Sequence, residues 1–86
     1  MNYRVFLESH AEKDLVSLPT KILQRIDVKL QSLSENPRPK GTTKLKGRLI
    51  EGWRLKVGDY RILYEIDDKE NIIRVYRIKH RREAYR

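Results

Sequence analysis

The chain contains no cysteine, so no disulfide can staple it and no thiolate can hold a metal ion. Tryptophan, phenylalanine and methionine occur once each, and only 38% of the residues are hydrophobic. With 86 residues to draw on, the core must be economical. Histidine occurs twice, as His10 and His80, in segments far apart, which argues against a zinc site. The opening MNYRVFLES lacks the long apolar stretch of a signal peptide or a membrane span, which predicts a cytoplasmic protein. Gly-rich phosphate loops, nucleophile elbows and helix-turn-helix signatures are also missing. No repeat, low-complexity tract or linker divides the chain, so residues 1–86 read as a single domain.

What the chain has in excess is positive charge, and that charge is segregated. Residues 1–37 carry five Lys/Arg and five Asp/Glu, a balance of zero. Residues 38–86 carry fifteen Lys/Arg and seven Asp/Glu, which supplies the whole net charge of +8. A one-sided excess of this kind is the footprint of a polyanion partner, although a generally basic soluble surface gives the same totals.

The pattern along the chain predicts an α+β domain. Residues 3–7 form a β-branched and aromatic run, the first strand. Ser9 is placed to cap a helix over residues 10–18, with Glu12 three positions on as in a capping box. Pro19 ends that helix and Thr20 can cap a second. There Ile22, Ile26, Leu30 and Leu33 recur every three or four residues as one apolar stripe. Asn36-Pro37-Arg38-Pro39 stops the helix. Residues 40–50 read as a basic loop or irregular strand. Two alternating runs flank Gly58-Asp59, a polar turn covers residues 67–71, and a last strand covers residues 72–78. The expected architecture is a small antiparallel sheet, a meander following strand, helix, helix, packed against the two helices.

A two-residue turn at Gly58-Asp59 fixes the hairpin register. Val57 then faces Tyr60, Lys56 faces Arg61, Leu55 faces Ile62 and Trp53 faces Tyr64. Trp53, Leu55, Val57, Tyr60, Ile62 and Tyr64 share the core face, and Arg54, Lys56 and Arg61 share the other, solvent face. Like charges directly opposite cost a sheet a few tenths to about 1 kcal/mol. A phosphate bound between Lys56 and Arg61 would turn that repulsion into attraction. A solvated basic face relieved by Glu65 or a tail carboxylate accounts for the same pattern. The tail adds His80, which titrates near neutral pH, and Tyr85. Taken alone, His80 reads better as a tail residue without a chemical role, and Tyr85 as an aromatic packed against the sheet edge. RNA cleavage needs a group to deprotonate a 2′-hydroxyl, cations around the phosphorane and an acid at the leaving oxygen. Lys, Arg, His and Tyr can supply all three without a metal or other cofactor. Asp67, Asp68 and Glu70 crowd one turn and read as a solvated tip, not a calcium loop.

Three segments together resemble the RelE/ParE toxin superfamily: Thr43-Lys44-Leu45-Lys46-Gly47, the run from Trp53-Arg54-Leu55-Lys56 through Gly58-Asp59-Tyr60-Arg61 to Tyr64, and His80-Arg81-Arg82-Glu83-Ala84-Tyr85-Arg86. The early Ala11-Glu12-Lys13-Asp14-Leu15 and Leu18-Pro19 fit as well, so the likeness spans nearly the whole chain. It implies a small sheet packed by two helices. It further implies a toxin that enters the 30S A site of the ribosome and cuts mRNA by attack of the 2′-hydroxyl, leaving a 2′,3′-cyclic phosphate and a 5′-hydroxyl. The implied partner is a small acidic RelB-like antitoxin; no membrane is involved. By the same resemblance Arg54, Lys56, Arg61, His80, Arg81 and Tyr85 are the catalytic candidates. Lys56 would assist deprotonation, Arg61 would hold the phosphate, Arg81 or His80 would act at the leaving group, and Tyr85 would orient or stack. Lys44, Lys46, Arg48 and Arg82 would grip RNA. Some relatives place a glutamate base near the Lys44 segment, where this chain has Thr42 and Thr43. A ParE-like inhibitor of DNA gyrase, or an RNA-binding module without catalysis, shares the fold and is the competing expectation.

Overall fold

The computed structural model describes residues 2–45 and 52–80. The described chain runs β1 (Arg4–Leu7), α1 (Ser9–Val16), α2 (Thr20–Leu33), β2 (Thr42–Leu45), β3 (Gly52–Val57), β4 (Tyr60–Asp67) and β5 (Ile72–His80). This is the expected α+β class, with β2 added from the segment read as loop or irregular strand. The five strands form one sheet in the order β1-β5-β4-β3-β2. The meander β2 to β5 is antiparallel. β1 joins it parallel to β5, with Arg4 opposite Ile72 and Leu7 opposite Val75. A parallel neighbour needs a crossover connection, and α1 and α2 provide it by carrying the chain from one sheet edge to the other.

Both helices pack on one face. The α2 stripe buries Ile26, Leu30 and Leu33 against Leu55, Val57, Ile62, Tyr64, Ile66, Ile73, Val75 and Ile78, while Ile22 is partly covered. Each fully buried aliphatic side chain of this set contributes about 1.5–3 kcal/mol. Ala11 is the buried residue of α1, and its small side chain lets that helix lie close to the sheet. Both helix starts lie one residue earlier than the Ser9 and Thr20 caps expected from the sequence. Glu8 and Pro19 occupy the cap positions, and neither makes a side-chain capping bond. The Pro19 ring holds φ near the −56° seen there, which suits an extended cap residue and leaves Thr20 as the first helical position.

The stretch after α2 is tied down at several points. The Tyr3 amide donates to the Ser34 carbonyl at 2.7 Å, and the buried Tyr64 hydroxyl donates to the Pro37 carbonyl at 2.7 Å. Burial raises the Tyr64 hydroxyl well above its ordinary pKa, so it remains a donor at every physiological pH. Arg38 lies over the Trp53 ring, 5.1 Å from its centre, and pairs with Asp68 at 2.8 Å. The hydrogen bond from Arg38, joined by one from the Tyr3 hydroxyl, holds the Asp68 carboxyl below the usual range.

β1 pairs with β5 only as far as Val75, so among the described residues the upper part of that edge has no strand partner. There the Asp14 carboxylate of α1 accepts from the Ile78 amide at 2.9 Å and from Arg77 Nε at 2.8 Å. A helix side chain thus closes an open edge, one of the ways proteins protect such edges. Partial burial acts to raise the Asp14 pKa, but the bonds from Arg77 and the Ile78 amide outweigh it and the net shift is downward. The native state therefore binds this proton less readily than the unfolded chain. Its stabilisation is full above the unfolded value of 3.8 and is lost as pH falls through the lower folded pKa. Asp14→Ala is expected to lower unfolding free energy by about 2 kcal/mol at neutral pH, the cost of stranding a half-buried amide and a guanidinium. Urea titrations of both proteins at neutral pH and below pH 3.8 check this: the gap should narrow in acid. A gap independent of pH would exclude the carboxylate as its source.

Candidate nucleic-acid interface

The hairpin turn forms as the sequence predicts, with Val57 opposite Tyr60 and Lys56 opposite Arg61. Gly58 has a φ of +59°, the left-handed value that a primed hairpin turn requires and that a side chain would strain. From this turn the register propagates across the sheet. Arg61 lies opposite Lys79 of β5, so Lys56, Arg61 and Lys79 form one row across three strands. Arg54 stands in the next row on the same face, between Thr43 of β2 and Leu63 of β4. The backbone register thus sets the Cα positions of Arg54, Lys56, Arg61 and Lys79 on the face turned away from the helices.

Glu65 does not neutralise that row. It pairs in register with Gly52 and Arg74, four residues along β4 from Arg61, or about 13 Å at strand rise. Among the described residues the carboxylate ion pairs are those of Asp68 with Arg38 and Asp14 with Arg77, both away from the Lys56 side chain. Relief by Glu65 is therefore the weaker account of the pattern, while the tail carboxylates expected as the other source of relief lie outside the described residues.

One sequence expectation needs correcting. Arg61 is not a solvent-face side chain: it is 6% exposed. Its Nη1 donates to the Gly58 carbonyl at 3.1 Å and to the Tyr60 carbonyl at 2.9 Å, so the guanidinium folds back over the turn. Strand alternation placed its Cβ correctly but could not show where a long flexible side chain would end. Arg54 is half-buried, and Lys56 is exposed.

His80 and Lys44 do not join this face. His80 lies opposite Tyr60 and contacts its ring edge-on, with centres 5.3 Å apart. Because Ile78 is in the core and strand side chains alternate, His80 projects on the helix side of the sheet. Lys44 lies opposite Trp53 and shares that same side, while Thr43 sits beside Arg54. Lys46, Arg48, Arg81, Arg82 and Tyr85 lie outside the described residues. Lys79 is the residue that sequence reasoning missed. Ending the last strand at residue 78 and beginning the tail at His80 left it unassigned, whereas continued alternation past Ile78 would have placed it on the basic face.

On this face Lys56 is exposed, Arg54 and Lys79 are half-buried and Arg61 lies behind them on the turn carbonyls, an arrangement of positive charge that can hold an anion. Among the described residues, no three His, Asp or Glu side chains gather where they could hold a metal ion. No described helix is long and apolar enough to cross a membrane.

Residues 5–85 match the family described as the ParE toxin of the type II toxin–antitoxin system parDE. The chain is 33% identical to the toxin RelG of Mycobacterium tuberculosis over 87 aligned positions, covering 100% of this chain and 99% of the relative. It is 30% identical to a toxin named RelE1 from Methanocaldococcus jannaschii, covering 100% of this chain and 98% of that one. Among solved structures it resembles the archaeal RelE–RelB complex from Pyrococcus horikoshii, with 30% identity, a TM-score of 0.84 and coverage of 94% and 97% of the two chains. It resembles the RelBE2 toxin–antitoxin complex of M. tuberculosis similarly, with 30% identity, a TM-score of 0.83 and coverage of 94% and 100%.

The strained row makes a prediction about stability alone. Lys56→Thr removes a like-charge pair and should raise unfolding free energy by about 0.5 kcal/mol. Arg61→Ala removes two hydrogen bonds from a charged, buried donor and should lower it by about 2 kcal/mol. Thermal melts of the two variants check the pair of signs, and a stabilised Arg61→Ala protein would show that its guanidinium carries no structural bonds.

Proposed function

The chain belongs to the RelE/ParE superfamily of type II toxins, and from that premise we propose that it is a ribosome-dependent endoribonuclease that cuts mRNA in the A site without a metal. The observation that carries this reading is the cation row formed by Lys56, Arg61 and Lys79, with Arg54 beside it. A sheet that holds like charges opposite one another is better matched to a phosphate than to solvent.

In the proposed reaction a 2′-hydroxyl passes its proton to solvent water with the help of the Lys56 ammonium, which stabilises the developing 2′-oxyanion, and the 2′-oxygen attacks the adjacent phosphorus. The bond from phosphorus to the 5′-oxygen breaks, leaving a 2′,3′-cyclic phosphate on one fragment and a 5′-hydroxyl on the other. Arg54 stabilises the charge on the phosphorane, and Arg61, held behind it on the turn carbonyls, adds positive charge to the site. The leaving 5′-oxygen takes a proton from a tail group. Of the two candidates, His80 faces the helix side, which favours Arg81 for that role. Tyr85 is assigned to orienting or stacking on the substrate, and Lys44, Lys46, Arg48 and Arg82 to the RNA backbone.

The partner that neutralises the toxin is a small acidic RelB-like antitoxin. Toxins similar to this one have been solved as RelE–RelB and RelBE2 complexes, which supports that assignment. The setting for all of these steps is the cytoplasm. A gyrase-inhibiting reading is kept as the alternative because the matched family bears the ParE name.

Induction of the chain alone in bacterial cells, with primer extension on an abundant message, tests the proposal. Cuts inside translated codons are expected, and they should disappear when translation is blocked. Lys56→Thr should reduce them at least tenfold, since a positioned proton-transfer group contributes about 10²–10⁴ in rate. Growth arrest without cuts would transfer the assignment to gyrase inhibition.

A further inference from the structure

We propose that the toxin has a second backbone-phosphate site, a basic groove between α2 and the tip of the β3–β4 hairpin that grips RNA beyond the scissile position. The groove is about 390 Å³ and is lined by Arg25, Val28 and Lys29 of α2 and by Lys56, Val57 and Gly58 of the hairpin. This inference rests on the RNA-cutting reading above and extends it to residues outside the catalytic set.

Four observations carry it. First, three of the six lining residues are cations and none is a carboxylate. Second, among the described residues the charged side-chain groups of Arg25, Lys29 and Lys56 make no hydrogen bond or ion pair, unlike those of Arg38 and Arg77, which are held by Asp68 and Asp14. The Asp27 carboxylate of the same helix turns the other way and lines a separate groove with Val5 and Leu7. Third, Arg25 reaches the turn itself. A Cβ on Gly58 would lie 3.4 Å from both of its terminal guanidinium nitrogens, so the glycine leaves room for that head to rest on the hairpin tip. Fourth, β2 pairs with β3 only as far as Leu55 and the Lys56 amide donates to the Gly41 carbonyl at 3.3 Å, so among the described residues Val57 at the end of β3 has no partner in β2 and borders the groove.

Lys56 belongs to both surfaces. It lies opposite Arg61 in the catalytic row and also lines the groove. A strand of RNA with one phosphate at that row can therefore continue around the hairpin tip and set a neighbouring phosphate between Arg25 and Lys29. Positions 25, 28 and 29 share one face of a helix, so Val28, 65% exposed, offers an apolar contact for a ribose or base between the two cations. An exposed valine flanked by cations suits a nucleotide chain, which is anionic and apolar by turns.

The test is fluorescence anisotropy with a labelled, non-cleavable single-stranded oligonucleotide carrying 2′-O-methyl groups, titrated at a series of salt concentrations. Arg25→Ala/Lys29→Ala should weaken binding and make the log–log salt slope shallower by about 1.4, the value for two lost single-strand phosphate contacts. Both side chains are exposed, so the fold should survive. Arg25→Lys/Lys29→Arg should keep the wild-type slope. Lys13→Ala/Lys69→Ala removes the same charge from exposed positions elsewhere and should also keep it. A double-alanine variant with wild-type slope and affinity would overturn the groove while leaving the catalytic reading intact. An equal loss in the Lys13/Lys69 control would overturn it too, by showing a response to net charge alone. A wild-type chain with no affinity for the oligonucleotide would overturn the groove, and cleavage on ribosomes would then decide the catalytic reading separately.

Discussion

The repulsion between Lys56 and Arg61 is the constraint around which the functional face is organised. Their opposition follows from a two-residue turn whose first position is Gly58 at positive φ. Shifting the pairing by one residue would bury the cations and expose Leu55 and Ile62, so the hydrophobic pattern and the turn enforce the same register. The sheet carries that register to Lys79 and Arg54, and the core beneath holds it rigid. A row of like charges is costly to fold, and on the proposed reading a bound polyanion would turn that cost into a gain, setting stability against function at this point of the molecule.

The remaining features serve to keep that sheet in one piece. α1 and α2 cover a single face, and among the described residues no helix packs on the opposite one. Asp14 finishes the edge where β1 runs out, and in doing so holds β5 in place as far as the strand that carries Lys79. At the other end, Tyr64, Arg38 and Asp68 fasten the stretch between α2 and β2 against the sheet. Arg77 is spent on Asp14 and Arg38 on Asp68 and Trp53, so two of the basic residues in the charged half of the chain are structural. Net charge alone would not have distinguished them from Lys56.

Most of the fold was legible in the sequence because it rests on short-range signals. The period of Ile22, Ile26, Leu30 and Leu33 marked α2, and the alternation around Gly58-Asp59 marked the hairpin with its register. The parallel placement of β1 beside β5 depends on contacts between residues at opposite ends of the chain, for which no local pattern exists. The caps were misplaced by one residue because Ser9 and Thr20 carry the right chemistry, while backbone geometry selected Glu8 and Pro19. For the site, alternation correctly grouped Arg54, Lys56 and Arg61. It also contained the information that His80 and Lys44 lie on the other side, once the pairing of β2 and β5 is known. The folding back of Arg61 over the turn was out of reach, because it is decided by carbonyls that become available only when the turn has formed.

The central claim is that this cationic row breaks RNA on the ribosome. Its most direct test uses purified toxin, ribosomes programmed with a defined mRNA, and analysis of the product termini. The account predicts cleavage at the A-site codon, with a 2′,3′-cyclic phosphate on the upstream fragment, a 5′-hydroxyl on the downstream one, and no cutting of the same message when ribosomes are left out. An intact message on programmed ribosomes, together with inhibition of gyrase supercoiling by the same preparation, would contradict it.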